Sequence, residues 1–147
     1  MTAMRPLLRP IAIVFALAMA ACGGDSTPTP ASTTTGPTTE LFEGQLTSRG
    51  ASQFFSCTVS TDGDVNLTLA SVTTAATPGT SLNLPLGLGL GMPVGTDCNL
   101  TQQTTTGPGL VPQVTGSNVS AATYCVKVFD VGNLTVPVNF AVRITHT

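Results

Sequence analysis

Residues 133–145 read NLTVPVNFAVRIT, and the alternation in this stretch decides the architecture. Leu134, Val136, Val138, Phe140, Val142 and Ile144 fall on one side, with Thr135, Pro137, Asn139, Ala141, Arg143 and Thr145 on the other. That period of two is the pattern of a half-buried strand. Pro137 has no N–H to give to a ladder, which predicts an edge, a bulge or a bend at that point. Just upstream, ATYCVKVFDVGN (122–133) alternates Tyr124, Val126 and Val128 against Cys125, Lys127 and Phe129. Lys127 marks the solvent side, so Cys125 is expected outside with it.

The same grammar runs back toward residue 41. In QFFSCTVS (53–60) the inward set is Phe55, Cys57 and Val59, and in DVNLTLAS (64–71) it is Val65, Leu67 and Leu69. Between them lies TDGD (61–64), where Asp62-Gly63 reads as a hairpin turn needing positive φ. Asp62 and Asp64 also read as calcium ligands, although two carboxylates fall short of the usual six to eight oxygens. SLNLPLGLGLG (81–91) sets leucines at 82, 84, 86, 88 and 90 against Asn83, Pro85, Gly87, Gly89 and Gly91. A dinucleotide loop would need its glycines to open a helix, and none follows here. A membrane-inserting peptide also matches the leucines. The preferred reading is a strand whose glycine side lets another backbone approach closely or lets the strand bend.

Segments near 42–47, 52–60, 64–72, 81–90, 97–102, 111–116, 122–130 and 134–146 therefore predict about eight strands. A single sheet of that size would leave an apolar face in water, whereas two stacked sheets bury both sets. The expected fold is an all-β, two-sheet antiparallel β-sandwich spanning residues 41–147, with no helical periodicity after residue 22.

The first forty residues follow other rules. MTAMRPLLRP carries Arg5 and Arg9, and the apolar run IAIVFALAMAA (11–21) has the length of a secretory signal, too short for a spanning helix. Met19-Ala20-Ala21-Cys22 resembles a bacterial lipobox, which implies a signal peptide over 1–21 and diacylation of Cys22. At about 0.8 kcal/mol per buried methylene, several acyl chains would hold the protein on a membrane. Gly23 in place of Asp points, by that resemblance, to the outer membrane of the cell envelope. Residues 22–40 continue as GGDSTPTPASTTTGPTTE after Cys22 and contain nothing that would offset the entropy of ordering, so a flexible tether reaching at most about 60 Å is expected.

Charge excludes one class of partner. Charged residues make up 8% of the chain. Beyond the leader, Arg49, Lys127 and Arg143 face seven acidic residues, so a row of phosphates could not be neutralised and nucleic acid is not expected. The surface must consist of Thr, Ser, Asn, Gln and Gly.

Over residues 44–145, GQLTSRGASQFFSCTVSTDGDVNLTLAS followed later by AATYCVKVFDVGNLTVPVNFAVRIT is similar to the bacterial pre-peptidase C-terminal domain. AATYCVKVFD is the closest stretch, resembling that family's Gly-Thr-Tyr-x-Val-x-Val strand. The resemblance implies a secreted, jelly-roll-like sandwich of a kind usually appended to enzymes and sometimes binding matrix or polysaccharide. The chain departs from the family at SLNLPLGLGL, where relatives often carry an Asp- and Tyr-rich strand.

With Cys22 acylated, three cysteines remain for the domain. Cys57 alternates with Phe55 and Val59 and reads as a buried thiol. Cys98 with Cys125 is the favoured disulfide, closing a loop worth about 3 to 4 kcal/mol, and Cys57 with Cys125 is the alternative. Catalysis finds little material. His146 is penultimate, where a frayed end would not hold a base. Glu40 and Glu43 read as solvated rather than as a glycosidase dyad. No catalytic set, metal site or cofactor is expected. Four Asn-x-Ser/Thr sequons, at Asn66, Asn99, Asn118 and Asn133, would matter in a eukaryotic secreted protein, a context the lipobox opposes.

Two functions stay open. One is an envelope-displayed binding or adhesion module for an extracellular or envelope protein or a polysaccharide, using the end loops TTAATPGT (73–80) and QTTTGPGL (103–110). Phe54 and Phe129, on outer faces, would form a small contact patch if adjacent, or would each cover a neighbouring loop. The other is a structural partner that pairs with an envelope protein through a sheet edge.

Overall fold

A computed structural model of the protein describes residues 36–147. The expected signal peptide over 1–21, Cys22 and the expected tether up to residue 35 lie outside the described residues. Eight strands follow: β1 (Thr38–Leu46), β2 (Ser52–Val59), β3 (Gly63–Thr74), β4 (Leu86–Val94), β5 (Asp97–Thr106), β6 (Val114–Val119), β7 (Ala122–Phe129) and β8 (Val138–His146). They form two four-stranded antiparallel sheets. Sheet A has the order β1-β8-β3-β6 and sheet B the order β2-β7-β4-β5. Every sequence-consecutive pair except β4–β5 crosses from one sheet to the other, which is the wiring of a jelly roll.

That wiring corrects one expectation. Asp62-Gly63 is not a hairpin, because β2 and β3 belong to different sheets and the turn is a corner between them. Gly63 is also absent from the left-handed glycines, which among the described residues are Gly50, Gly79, Gly95 and Gly132. The hairpin inside a sheet is Val94-Gly95-Thr96-Asp97, where Gly95 takes φ 58°, in the left-handed region that favours glycine.

The core is the layer between the sheets. Leu86, Leu88 and Leu90 from β4 meet Leu67 and Leu69 from β3 and Val142 and Ile144 from β8, all almost fully buried. Leu82 and Leu84 precede the strand, yet still pack against this layer. The strand expected over 81–90 therefore starts at Leu86. Phe55 of β2 stacks on Phe42 of β1 at 4.9 Å between centroids and meets Phe140 of β8 edge-on at 6.2 Å, joining the two sheets through aromatic contacts. β8, expected from 134, starts at Val138. Pro137 sits just before it, so Leu134 is buried in the preceding loop while Val136 is exposed.

The glycine side of β4 faces outward and is covered by side chains. Phe129 lies over Gly87 and Leu100 over Gly89, while Gly91 is pressed against the backbone of Asn99. There the ladder shifts: Leu90 pairs with Gln102 but Gly91 pairs with Leu100, leaving Thr101 as the extra residue on β5. Its hydroxyl donates to the Leu90 carbonyl at 3.2 Å.

The two ends of the sandwich differ. At one end, Thr38 lies opposite His146 and Val59 opposite Ala122, and Ser60 N–H donates to the Thr147 carbonyl at 3.2 Å. The chain enters β1 at this end, three residues earlier than the expected boundary at 41. At the other end, the β1–β2, β3–β4 and β7–β8 loops are tied together. Asp130 N–H donates to the Ala51 carbonyl at 2.9 Å, Ala75 N–H to the Pro137 carbonyl at 3.0 Å, and Asn133 Nδ2 to the Pro85 carbonyl at 2.9 Å.

Candidate functional site

Asp130 organises the loop end. Its Oδ2 accepts from Gly50 N–H at 2.8 Å, and its Oδ1 accepts from Asn133 N–H at 3.1 Å and Leu134 N–H at 2.9 Å. Burial pushes its carboxyl up, but the N–H groups of Gly50, Leu134, Gly132 and Asn133 outweigh this and hold it below the ordinary carboxylate range. Sequence reasoning missed this residue. The signal was present in DVGN, an Asp followed by Gly and Asn, which is the chemistry of an Asx turn.

Cys98 and Cys125 are joined by a disulfide, with their α-carbons 5.8 Å apart. Cys125 shares the outer face of sheet B with Lys127 as expected, but it is fully buried, because the bridge and the neighbouring strands cover it. Cys57 is a buried free thiol. Burial, reinforced by the nearby Glu40 carboxylate and only partly opposed by a backbone hydrogen bond, pushes it up to about 11. It is neutral at physiological pH and a poor nucleophile. Lys127 Nζ reaches Asp97 Oδ1 at 2.8 Å across the exposed surface, and this hydrogen bond holds Asp97 low.

His146 does not fray. It is the last residue of β8, points inward and is 4% exposed, with Nε2 2.9 Å from Glu40 Oε1. Pairing with β1 holds it there, through Thr38 opposite His146 and Glu40 opposite Ile144. Glu40 and Glu43 lie three residues apart in one strand and therefore point to opposite sides, so they do not form a dyad. Cys57, His146 and Glu40 thus occupy one end of the core. Among the described residues no group of three His, Cys, Asp or Glu side chains is arranged to hold a metal ion.

The two aspartates considered for calcium are engaged elsewhere. Asp62 Oδ1 accepts from Ala121 N–H at 2.7 Å and Asp64 Oδ1 from Asn118 N–H at 3.0 Å, so both brace the β6–β7 turn. Asn118 there takes φ 54°. Phe129 covers neither a loop nor a contact patch but Gly87 of the adjacent strand β4, and both it and Phe54 are half-buried.

Of the two stretches expected as end loops, TTAATPGT lies at the loop end, whereas Gln103–Thr106 are still strand β5. The remainder of QTTTGPGL turns along the flank of sheet A, where Gly109 N–H donates to the Leu69 carbonyl at 2.8 Å. Gln113 Oε1 accepts from Leu69 N–H at 2.7 Å, extending the pairing along β3 just before β6 begins at Val114.

A depression of another kind lies on the outer face of sheet A. It is an open cleft of about 570 Å³ lined by Glu43 and Gln45 of β1, Ser71 and Thr73 of β3, and Asn139 and Ala141 of β8. Register explains it: Glu43, Ala141 and Ser71 form one row and Gln45, Asn139 and Thr73 the next. Ala141, the smallest side chain in its row, makes the floor.

The fold and these sites define an eight-stranded jelly-roll β-sandwich bearing a disulfide. No protein-family model matches the sequence, and a search of curated proteins finds no match.

Proposed function

We propose that the protein is a non-catalytic binding module, anchored through lipid on Cys22 in the bacterial cell envelope, on the outer membrane, and presenting its sandwich to an extracellular or envelope protein or polysaccharide. The observation that carries this reading is the polarity of the domain. β1 begins beside the C-terminus, at the end opposite the three loops that Asp130, Pro137 and Asn133 tie together. A tether attached there leaves the loop end facing away from its point of attachment. The lipobox-like MAAC and the likeness of AATYCVKVFD to the pre-peptidase C-terminal domain support the same reading. The neutral Cys57 thiol, and His146 committed to Glu40 within the core layer, favour binding over catalysis.

The test is a pull-down from envelope extracts with the exported protein as bait, run beside arrays of glycans and matrix proteins. Saturable capture of a glycan or matrix component fits the module. Capture confined to one stoichiometric envelope protein favours the second reading, a structural partner. That reading has its own support in β5, a ten-residue strand that pairs, among the described residues, with β4 alone and carries neither Lys nor Pro, although the bulge at Thr101 interrupts it.

A further inference from the structure

We infer that the cleft on the outer face of sheet A is a binding site for a neutral oligosaccharide chain. This rests on the binding-module reading and gives it a place and a ligand class.

The chemistry of the lining comes first. Gln45 Nε2 donates to Asn139 Oδ1 at 3.0 Å, which fixes both amides and leaves Gln45 Oε1 as an acceptor and the Asn139 amide protons as donors. The Ser71 and Thr73 hydroxyls donate and accept, and Glu43 accepts. A mixture of fixed donors and acceptors side by side is what a run of sugar hydroxyls requires, since each hydroxyl does both. A peptide strand would instead seek open backbone, and here the floor is β8, paired on both sides with β1 and β3.

Shape is the second argument. The cleft shares Gln45 with a second depression of about 500 Å³ bounded by Thr74, Ala75, Val136 and Pro137. That depression shares Val136 with a third of about 240 Å³ at Leu82 and Leu84. The three form one track running from the sheet face over the loop end. Successive rows of the sheet lie about 7 Å apart, roughly the length of one sugar ring, so the track takes a chain and not a single ring. Its polar floor suits hydroxyls, while Val136, Pro137 and Ala75 offer an apolar wall to C–H faces.

Charge selects among sugars. Glu43 is the charged side chain among the residues lining the track, and Arg143, beyond Ala141 on the same face, donates to the Leu110 carbonyl at 2.8 Å, so the lining supplies a carboxylate and no cation to an acidic polymer. Phe140 borders the cleft through its backbone, but its ring is 2% exposed and packs inward against Phe55, so the track offers no aromatic face to stack a ring, each sugar is held weakly and retention depends on several rings engaging together.

Affinity electrophoresis of the full chain in detergent tests this, in gels cast with dextran, xyloglucan, galactomannan or arabinoxylan, and with alginate as the acidic polymer. The expected result is retardation by at least one neutral polysaccharide and not by alginate. Ala141→Leu, which fills the floor, and the double variant Gln45→Ala/Asn139→Ala should each weaken retardation about tenfold. Gln103→Ala, on the outer face of sheet B, should leave it unchanged. Thermal unfolding of each variant checks that the fold is intact. Retardation that survives both cleft variants overturns the site while leaving the module reading in place. No retardation by any neutral polysaccharide, or retention only on immobilised protein, overturns the ligand class, and the envelope pull-down then decides the module reading separately.

Discussion

The ring of Phe129 lies over Gly87, its cross-strand partner on β4, and fills the space that a β-carbon at residue 87 would need. At Gly91 the obstacle is different, because a β-carbon there meets the carbonyl of Asn99 itself. A side chain can swing aside, but a paired backbone cannot. Gly91→Ala should therefore cost about 2 to 3 kcal/mol and Gly87→Ala about 1 kcal/mol, with Phe129→Leu relieving only the latter. Urea unfolding of the three variants and the Gly87→Ala/Phe129→Leu pair measures this. Equal costs at the two glycines would contradict the account of the stripe.

The Cys98–Cys125 bridge spans a sequence separation of 27. Replacing both cysteines with alanine should lower stability by about 3 kcal/mol, chiefly through the unfolded chain. In the native disulfide-bonded protein, Cys57 should resist alkylation near pH 8, since it is buried and its thiol is pushed up to about 11. Mass spectrometry of iodoacetamide-treated protein, with and without urea, should show labelling of Cys57 only after unfolding.

Asp130 gives the stability a pH dependence. Its folded carboxyl is held below the unfolded value near 3.9, so its contribution is complete above that value and is lost as pH falls through the folded one. Asp130→Asn should cost about 2 kcal/mol at pH 7 by weakening three charged hydrogen bonds. Its urea midpoint should then vary less than that of the parent between about pH 5 and pH 3, and the two curves should converge at the acid end.

The 2.9 Å contact between His146 Nε2 and Glu40 Oε1 joins the two strand ends beside the chain's entry into β1. His146→Ala should cost about 1 to 2 kcal/mol. Hydrogen exchange should quicken at Glu40 and Phe42 in β1 and remain slow at Leu88 and Val126 in the middle of sheet B. Uniform quickening would mean that His146 supports the whole fold and not this corner.

What was legible in the sequence was the side each residue takes. The alternation of Val138, Phe140, Val142 and Ile144, and of Leu86, Leu88 and Leu90, places them in the core, because a strand has only two faces and water selects one of them. Which sheet each strand joins was not legible. Asp62-Gly63 carries turn chemistry, and turn chemistry is the same for a hairpin and for a corner between sheets. His146 was misjudged for a related reason: distance from the end of the chain says nothing about a partner 106 residues away. The sheet A cleft draws Gln45, Ser71 and Asn139 from three strands, so only the order β1-β8-β3 brings them together. Ala141 was its one local sign, a small residue on an outward face between Asn139 and Arg143.

The central claim is that this sandwich is displayed from a lipid-bearing Cys22, and intact-mass spectrometry of the protein recovered from bacterial membranes tests it most directly. The account predicts a chain beginning at Cys22 with a mass excess equal to a diacylglyceryl group and an amide-linked acyl chain, together with release of the Cys22→Ala variant from the membrane fraction. A chain that begins elsewhere without acyl mass, or a Cys22→Ala variant that stays on the membrane, would contradict it.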